Sequence, residues 1–359
     1  MTRIVSVTAA VERLAPVDAA RGYAGLDTPA FVRCRVETED GLVGTGVTGR
    51  FLGPEVAALL GQGFDEALRG ADARMIEAIG PRLTARFNPR NATGAFVSAL
   101  SALDMALWDL RARALGEPLW RLLGGARTSV RCYATVGLPG YEEDKLAAVC
   151  KASVEAGFVG VKMLVAAGGR GVEEDASRVR AVRQAIGPRA LLMLDANCGM
   201  NVATARRLAL MVEDCDIAWF EEPLLGNDLE QLATLRRAIR IPIAAGQMVQ
   251  SLGWFREALS RGAVDWLQPN AAFCGGISAM LRILAMAEAY GTPVAHAGGW
   301  DIANAAVMAG HAGGGLLEMH GAQLALRARL TEDLLPDAGV IHMPDRPGIG
   351  FAFREAAAG

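Results

Sequence analysis

The chain has 359 residues, 52% of them hydrophobic, with a net charge of −3 and a pI near 5.9. That length calls for two domains or one large α/β barrel with additions. An acidic balance without a basic stripe argues against a nucleic-acid partner, and no apolar run approaches the roughly 20 residues of a membrane span.

The N-terminal MTRIVSVTAAVERLAP has too short an apolar stretch for a secretory signal, being interrupted by Glu12 and Arg13. The six cysteines (Cys34, Cys132, Cys150, Cys198, Cys215, Cys274) show no CxxC pair and no zinc spacing, and read as reduced thiols of a soluble, cytoplasmic protein. AFVRCRVETEDGLVGTGV alternates around Phe31, Arg33, Arg35 and Glu37, turns at Asp40-Gly41 and resumes at Leu42, which predicts a hairpin. After Pro54 the pattern turns helical. Phe96, Leu100, Leu103, Leu107 and Leu110 recur at three- and four-residue steps, a buried helix face ended by Gly116 and Pro118.

Beyond Gly124-Gly125 a short apolar run, a polar or glycine loop and an amphipathic helix follow one another repeatedly. The runs are RCYATV, VGVKML, ALLMLD, IAWFEE, IPIAAG, VDWLQP, TPVAHA and LLEMH. Strands alternating with helices imply βαβ units and a parallel sheet; eight in succession imply a closed (β/α) barrel of modified TIM type. An open doubly wound sheet would ordinarily carry GxGxxG after its first strand, and none is present. The predicted division is an α+β capping domain over residues 1–125, the barrel over 126–325, and a C-terminal segment over 326–359.

In such a barrel the chemistry lies at the C-terminal strand ends. Those positions hold Lys162, Asp195, Glu221, Gln247, Asn270, His296 and Glu318. From Asp195 onward each lies roughly 25 residues after the last, one βα unit, so the side chains should converge on one mouth. Taken singly, Asp195 and Glu221 could be helix N-caps and His296 a satisfied core histidine. Together, two acids and Gln247 on consecutive strands point to an oxygen-ligand set for Mg²⁺, and His296 across from it becomes a candidate base. Lys162, inside an apolar strand, needs an anionic partner from the protein or from a substrate.

Here the sequence resembles the enolase superfamily in its mandelate racemase/muconate lactonizing branch. SALDMALWDLRARALGEPLWRLLGG resembles the family's entry into the barrel, and GFVGVKML its KxK strand. LDAN, FEEP and IPIAAG resemble its metal-ligand strands; LQPN…GGIS and VAHAGGW resemble those carrying its Asp-His pair. The resemblance implies a cap built from both chain ends, Mg²⁺ dependence, frequent homo-oligomers and a small-molecule carboxylate substrate. It also implies a shared first step: a base removes the proton α to the carboxylate, and positive groups stabilise the enediolate. The implied roles are Asp195, Glu221 and Gln247 as ligands, Lys162 beside the substrate carboxylate, His296 as base, Glu318 as a donor when protonated, and Asn197 as a contact either of the metal's ligands or of the substrate. The loop PVDAARGYAGLD, with Asp18, Arg21 and Tyr23, lies where the family closes a lid.

Three positions depart from that pattern. The second lysine of KxK is Leu164, which cannot move protons. Asn270 replaces the aspartate that partners the histidine; an amide can orient imidazole but not stabilise imidazolium, and the analogous change in serine proteases costs about 10⁴ in turnover. Gln247 replaces a carboxylate, which should weaken Mg²⁺ binding and leave more of the ion's charge for the substrate. A dehydratase acting on a sugar acid or related hydroxy acid suits a site that kept one acid/base group. A racemase, epimerase or cycloisomerase, or a ligand-binding barrel without catalysis, are the alternatives.

Overall fold

In the computed structural model, residues 3–13, 30–296, 301–321, 330 and 336–354 are described. The loop bearing Asp18, Arg21 and Tyr23, and the Ala297–Trp300 part of VAHAGGW, lie outside them.

β1 (Ile4–Arg13), β2 (Ala30–Thr38) and β3 (Val43–Thr48) form an antiparallel sheet in that order. The β2–β3 hairpin turns at Asp40-Gly41 as expected, with Gly41 at a φ of 78° and the Thr38 hydroxyl donating to Asp40 Oδ1 at 2.6 Å. Period-two alternation buries Val32, Cys34 and Val36 on one face of β2. The helix Ala95–Leu115 crosses this sheet at very close range. A Cβ at Gly44 or Gly46 would stand 2.0 Å from the carbonyls of Ala106 and Ala102, so only glycine fits. Gly116, at a φ of 70°, closes the helix and donates its N–H to Ala112.

The eight predicted runs form eight parallel strands: β4 (Ser129–Gly137), β5 (Gly160–Leu164), β6 (Leu191–Asp195), β7 (Ile217–Glu221), β8 (Ile243–Ala245), β9 (Trp266–Leu267), β10 (Ala295–His296) and β11 (Leu316–His320). Their order is β10-β11-β4-β5-β6-β7-β8-β9, and a parallel bridge from Leu267 to Val294 nearly closes the barrel. The strands from β8 to β10 are shorter than their apolar runs. Pro242, Pro269 and Pro293 have no N–H to give to a ladder, so pairing shrinks between them. A plug of Tyr133, Met193, Trp219, Ala244 and Ala295 fills the interior, Tyr133 meeting Trp219 edge-on at 5.3 Å.

β12 (Val340–His342) pairs antiparallel with the start of β4. Beyond it, Ile349 donates its N–H to Asp109 on the Ala95–Leu115 helix at 2.7 Å, and Phe353 stacks on Phe31 of β2 at 5.4 Å. The result is an α/β barrel with an N-terminal cap containing an antiparallel sheet. All six cysteines are free thiols, and among the described residues no helix is long and apolar enough to cross a membrane.

Candidate active site at the barrel mouth

Strand register brings the predicted polar side chains together. Lys162 lies beside Thr135 and Met193, Asp195 pairs with Glu221, and Glu318 pairs with Tyr133. Just above the aromatic plug the Lys162 ammonium, 1% exposed, meets three carboxylates: Glu221 Oε1 at 2.7 Å, Glu318 Oε1 at 2.9 Å and Asp195 Oδ2 at 3.2 Å. The anionic partner that a lysine inside an apolar strand requires is therefore the protein itself.

Each acid has further donors. Glu221 Oε2 accepts from Gln268 Nε2 at 2.6 Å and from the Trp219 indole at 3.4 Å. Glu318 accepts from the Thr135 hydroxyl at 2.5 Å, and Asp195 Oδ1 from the Asn197 N–H at 2.9 Å. Burial pushes Glu221 well above the usual carboxylate range, although Lys162 pulls it down. Burial also acts to raise Glu318, but there the Lys162 charge, His320 and the hydrogen bonds win and bring it to about 2. Burial would lower Lys162; its three acids outweigh that and hold it protonated, well above the usual lysine value.

Several non-glycine residues at this mouth take left-handed backbone, among them Asn197 at a φ of 45°, Cys198 at 59° and Glu222 at 39°. Such conformations cost free energy and persist where surrounding contacts enforce them. Glu222 is fully buried; its Oε1 accepts from Asn227 Nδ2 at 2.9 Å and the Met248 N–H at 3.1 Å, while Oε2 has no partner. Burial, then the Asp195 charge, raise its carboxyl to about 7. The Gln247 amide oxygen is likewise buried and unpartnered.

These observations bear on a metal. One ammonium against Asp195, Glu221 and Glu318 leaves a formal excess of negative charge. The donors are all oxygen, and Gln247 Oε1 accepts no hydrogen bond. That donor set fits a hard divalent cation such as Mg²⁺. Among the described residues no three His, Cys, Asp or Glu side chains are arranged to hold a metal, and the carboxylates that converge do so on the Lys162 ammonium.

His296 stands apart. It is fully buried, and among the described residues its ring nitrogens make no well-formed hydrogen bond, only marginal contacts with the Gly314 backbone and Asn304. Burial lowers its pKa to about 3, against weaker opposing pulls from the Gly314 backbone and Asn304. The expected Asn270–His296 bond is not formed. Asn270 Oδ1 instead accepts from the Ala272 N–H at 2.9 Å and Asn304 Nδ2 at 3.3 Å, because an amide two residues from a free N–H satisfies the local turn first. Leu164, at the position of the missing second lysine, is half-buried at the end of β5.

Sequence reasoning passed over Glu222, Gln268, Asn304 and His320. Asn304, a lone amide in an apolar helical stretch, was a readable signal; it also accepts the Ala271 N–H at 3.0 Å. His320 carried one too, two residues beyond Glu318 and so on the same face of β11.

A cavity of about 520 Å³ opens between cap and barrel, with Asn197 and Gln247 on its barrel side and Phe51 and Leu52 on the cap side. Acids, a lysine and a histidine gathered at the strand ends of a nearly closed barrel, with a cavity at the junction to its cap, define the usual place for an enzyme site in this architecture. The sequence matches the family models for the mandelate racemase/muconate lactonizing enzyme N-terminal domain over residues 2–124 and the enolase C-terminal domain-like fold over 145–357. The chain belongs to the mandelate racemase/muconate lactonizing enzyme family of the enolase superfamily.

Among its relatives, the D-galactarolactone cycloisomerase of Agrobacterium fabrum is 34% identical over 92% of this chain and 91% of that protein. The arabinonate dehydratase of Saccharolobus solfataricus is 30% identical over 90% and 88%. The solved L-talarate dehydratase of Polaromonas sp., complexed with Mg and L-glucarate, superposes with a TM-score of 0.88 at 30% identity over 99% of this chain and 96% of that one.

Proposed function

We propose that this enzyme is a Mg²⁺-dependent lyase that removes the proton α to the carboxylate of a sugar acid or related hydroxy acid and dehydrates it. The observation that carries the proposal is the Lys162 cluster: a fixed cation buried among Asp195, Glu221 and Glu318 at the mouth of a capped barrel. The arabinonate dehydratase relative supports a dehydration, and the cycloisomerase relative the second reading below.

Asp195, Glu221 and Gln247 would hold the ion, which when bound supplies positive charge to the substrate carboxylate. Lys162 adds a second positive group, preorganised and unable to relax because three acids hold it. Asn197, exposed at the cavity and strained, is placed to contact substrate. His296 is the acid/base. Neutral at working pH, it accepts the C2 proton on a ring nitrogen, and the electron pair forms the C2–C3 double bond as the C3 hydroxyl departs. The same proton goes to that hydroxyl, which leaves as water, and the enol tautomerises to a 2-oxo acid. An imidazole destabilised as a cation by burial is a strong acid once protonated, which favours this return of the proton. A substrate carboxylate beside it supplies the negative charge that Asn270 does not.

A two-base racemase needs a neutral amine on the opposite face. Leu164 is none, and Lys162 is pinned in its charged form. A cycloisomerase needs a single base, and the 34% identity to one such enzyme makes it the second reading. The test is 2-oxo acid formation from hydroxy acids with saturating Mg²⁺, compared between wild type and His296→Asn. The proposal expects product from the wild type and a loss of at least about a hundredfold in the variant. Unchanged dehydration in the variant refutes the role of His296. Ring opening or closure without loss of water favours the cycloisomerase.

A further inference from the structure

We infer that the substrate carries an apolar group beyond its reacting carbons, so that the site suits an aryl- or branched-alkyl-substituted 2,3-dihydroxy acid better than a fully hydroxylated sugar acid. The inference rests on the proposed α-proton chemistry at the same site.

It comes from what lines the cavity. Its walls are Phe51, Leu52 and Ala95 from the cap and Met248 and Phe273 from the barrel. Phe51 and Phe273 face one another across the domain junction at 6.4 Å, an aromatic wall contributed by both domains. Phe51, Leu52 and Met248 remain 65%, 60% and 51% exposed, an unusual density of large apolar side chains around one opening. Leu52 takes left-handed backbone at a φ of 52° immediately before the helix Gly53–Ala58, which fixes where its side chain leaves the cap.

The polar groups of the cavity fall into two sets, those that join the domains and those toward the reacting end. Gln250 clamps the domains together: its Oε1 accepts the Gly94 N–H at 2.8 Å, and its Nε2 donates to the Gly94 carbonyl at 3.2 Å and to the Ser98 hydroxyl at 3.4 Å. Asn197 and Gln247 adjoin Asp195 and the reacting end. The Arg50 guanidinium lies over the Phe51 ring at 4.9 Å. A carboxylate and two hydroxyls at the reacting end would find partners. A chain of further hydroxyls would lose its water along the apolar walls without replacement among the described residues, at roughly tenfold in affinity per hydroxyl. An aryl or branched alkyl group there gains burial instead.

The experiment compares 2,3-dihydroxy-3-phenylpropanoate with galactonate on the Mg²⁺-loaded enzyme. Two readouts are taken: dissociation constants by calorimetry, and kcat/KM for 2-oxo acid formation. The inference expects the phenyl compound to bind at least about tenfold tighter, and Phe51→Asn to shrink that preference about fivefold without moving the melting temperature. Equal or tighter binding of galactonate overturns the inference and leaves the proposed chemistry standing if galactonate is dehydrated. A phenyl preference in binding with no 2-oxo acid from either compound upholds the inference and overturns the proposed chemistry. Binding of neither compound overturns the inference.

Discussion

Lys162→Met should be among the most destabilising single substitutions in the barrel. It removes the cation from Asp195, Glu221 and Glu318 at 2.7 to 3.2 Å, in a place where Lys162 is 1% exposed. Deleting one partner of a buried ion pair costs about 3–5 kcal/mol, because the remaining charge has neither water nor partner. A chain of 359 residues unfolds with an entropy of about 0.75 kcal/mol/K, from roughly 2.1 cal/mol/K per residue, so the melting midpoint should fall by about 4–7 °C. The loss should depend on pH. Glu318 is held down to about 2 chiefly by Lys162, so its contribution is present above its ordinary value of 4.5 and fades as pH falls through that range toward 2. In the variant the abandoned, buried acids titrate upward and neutralise themselves at mild acidity. The gap between wild type and variant should therefore be wide at pH 8 and narrower at pH 5. Thermal unfolding followed by circular dichroism at both pH values is the assay. A shift under about 2 °C, or one equal at both pH values, would show that the cluster is not the buried, interdependent unit described here.

Three further expectations follow from the same physics. The folded pKa of His296 is about 3 against an ordinary 6.5, so its contribution to stability is full above about 6.5 and is lost as pH falls toward 3, with a slope of up to about 1.4 kcal/mol per pH unit; His296→Asn should flatten denaturant-derived stability between pH 4.5 and 6.5, and parallel profiles contradict it. Gln247→Glu restores a third carboxylate and should tighten Mg²⁺ about tenfold or more by calorimetry; unchanged affinity removes Gln247 from the metal. Asp104 accepts the Ser278 N–H at 3.0 Å and its hydroxyl at 2.5 Å, joining the cap helix to the barrel, and burial raises its carboxyl from 3.8 to about 6. A raised acid destabilises progressively as pH climbs from about 4 to 6. Asp104→Asn should gain up to about 3 kcal/mol at pH 8 and little at pH 4, and a loss at pH 8 opposes this sign.

The barrel was legible because burial on both faces of a parallel strand leaves an apolar run with few polar residues, and those few stood at strand ends. Lys162 was conspicuous for that reason. Its partners were less so: Asp195, Glu221 and Glu318 share a mouth by strand count, but only the register and stagger of β5, β6, β7 and β11 decide that all three reach one ammonium. The π-helical turn at Leu59–Phe64 had no sequence signal of its own beyond Gly61 and Gly63. The local turn at Ala271–Ala272 took the Asn270 carbonyl that family resemblance had assigned to His296. Local backbone donors competing for an amide are invisible to strand-end spacing. Glu222 read as the second acid of FEEP, yet its unpartnered oxygen depends on a left-handed backbone that the residue type does not announce.

The central claim is that this mouth removes a proton from the carbon next to a carboxylate. Proton NMR in D₂O with saturating Mg²⁺, on a library of sugar acids and other hydroxy acids, reads it directly. At least one compound should lose its α-proton signal and develop the deuterated resonances of a 2-oxo acid, and His296→Asn should abolish both. If every α-proton persists with the metal bound, the Lys162 cluster is the scaffold of a binding protein and the proposed chemistry is wrong.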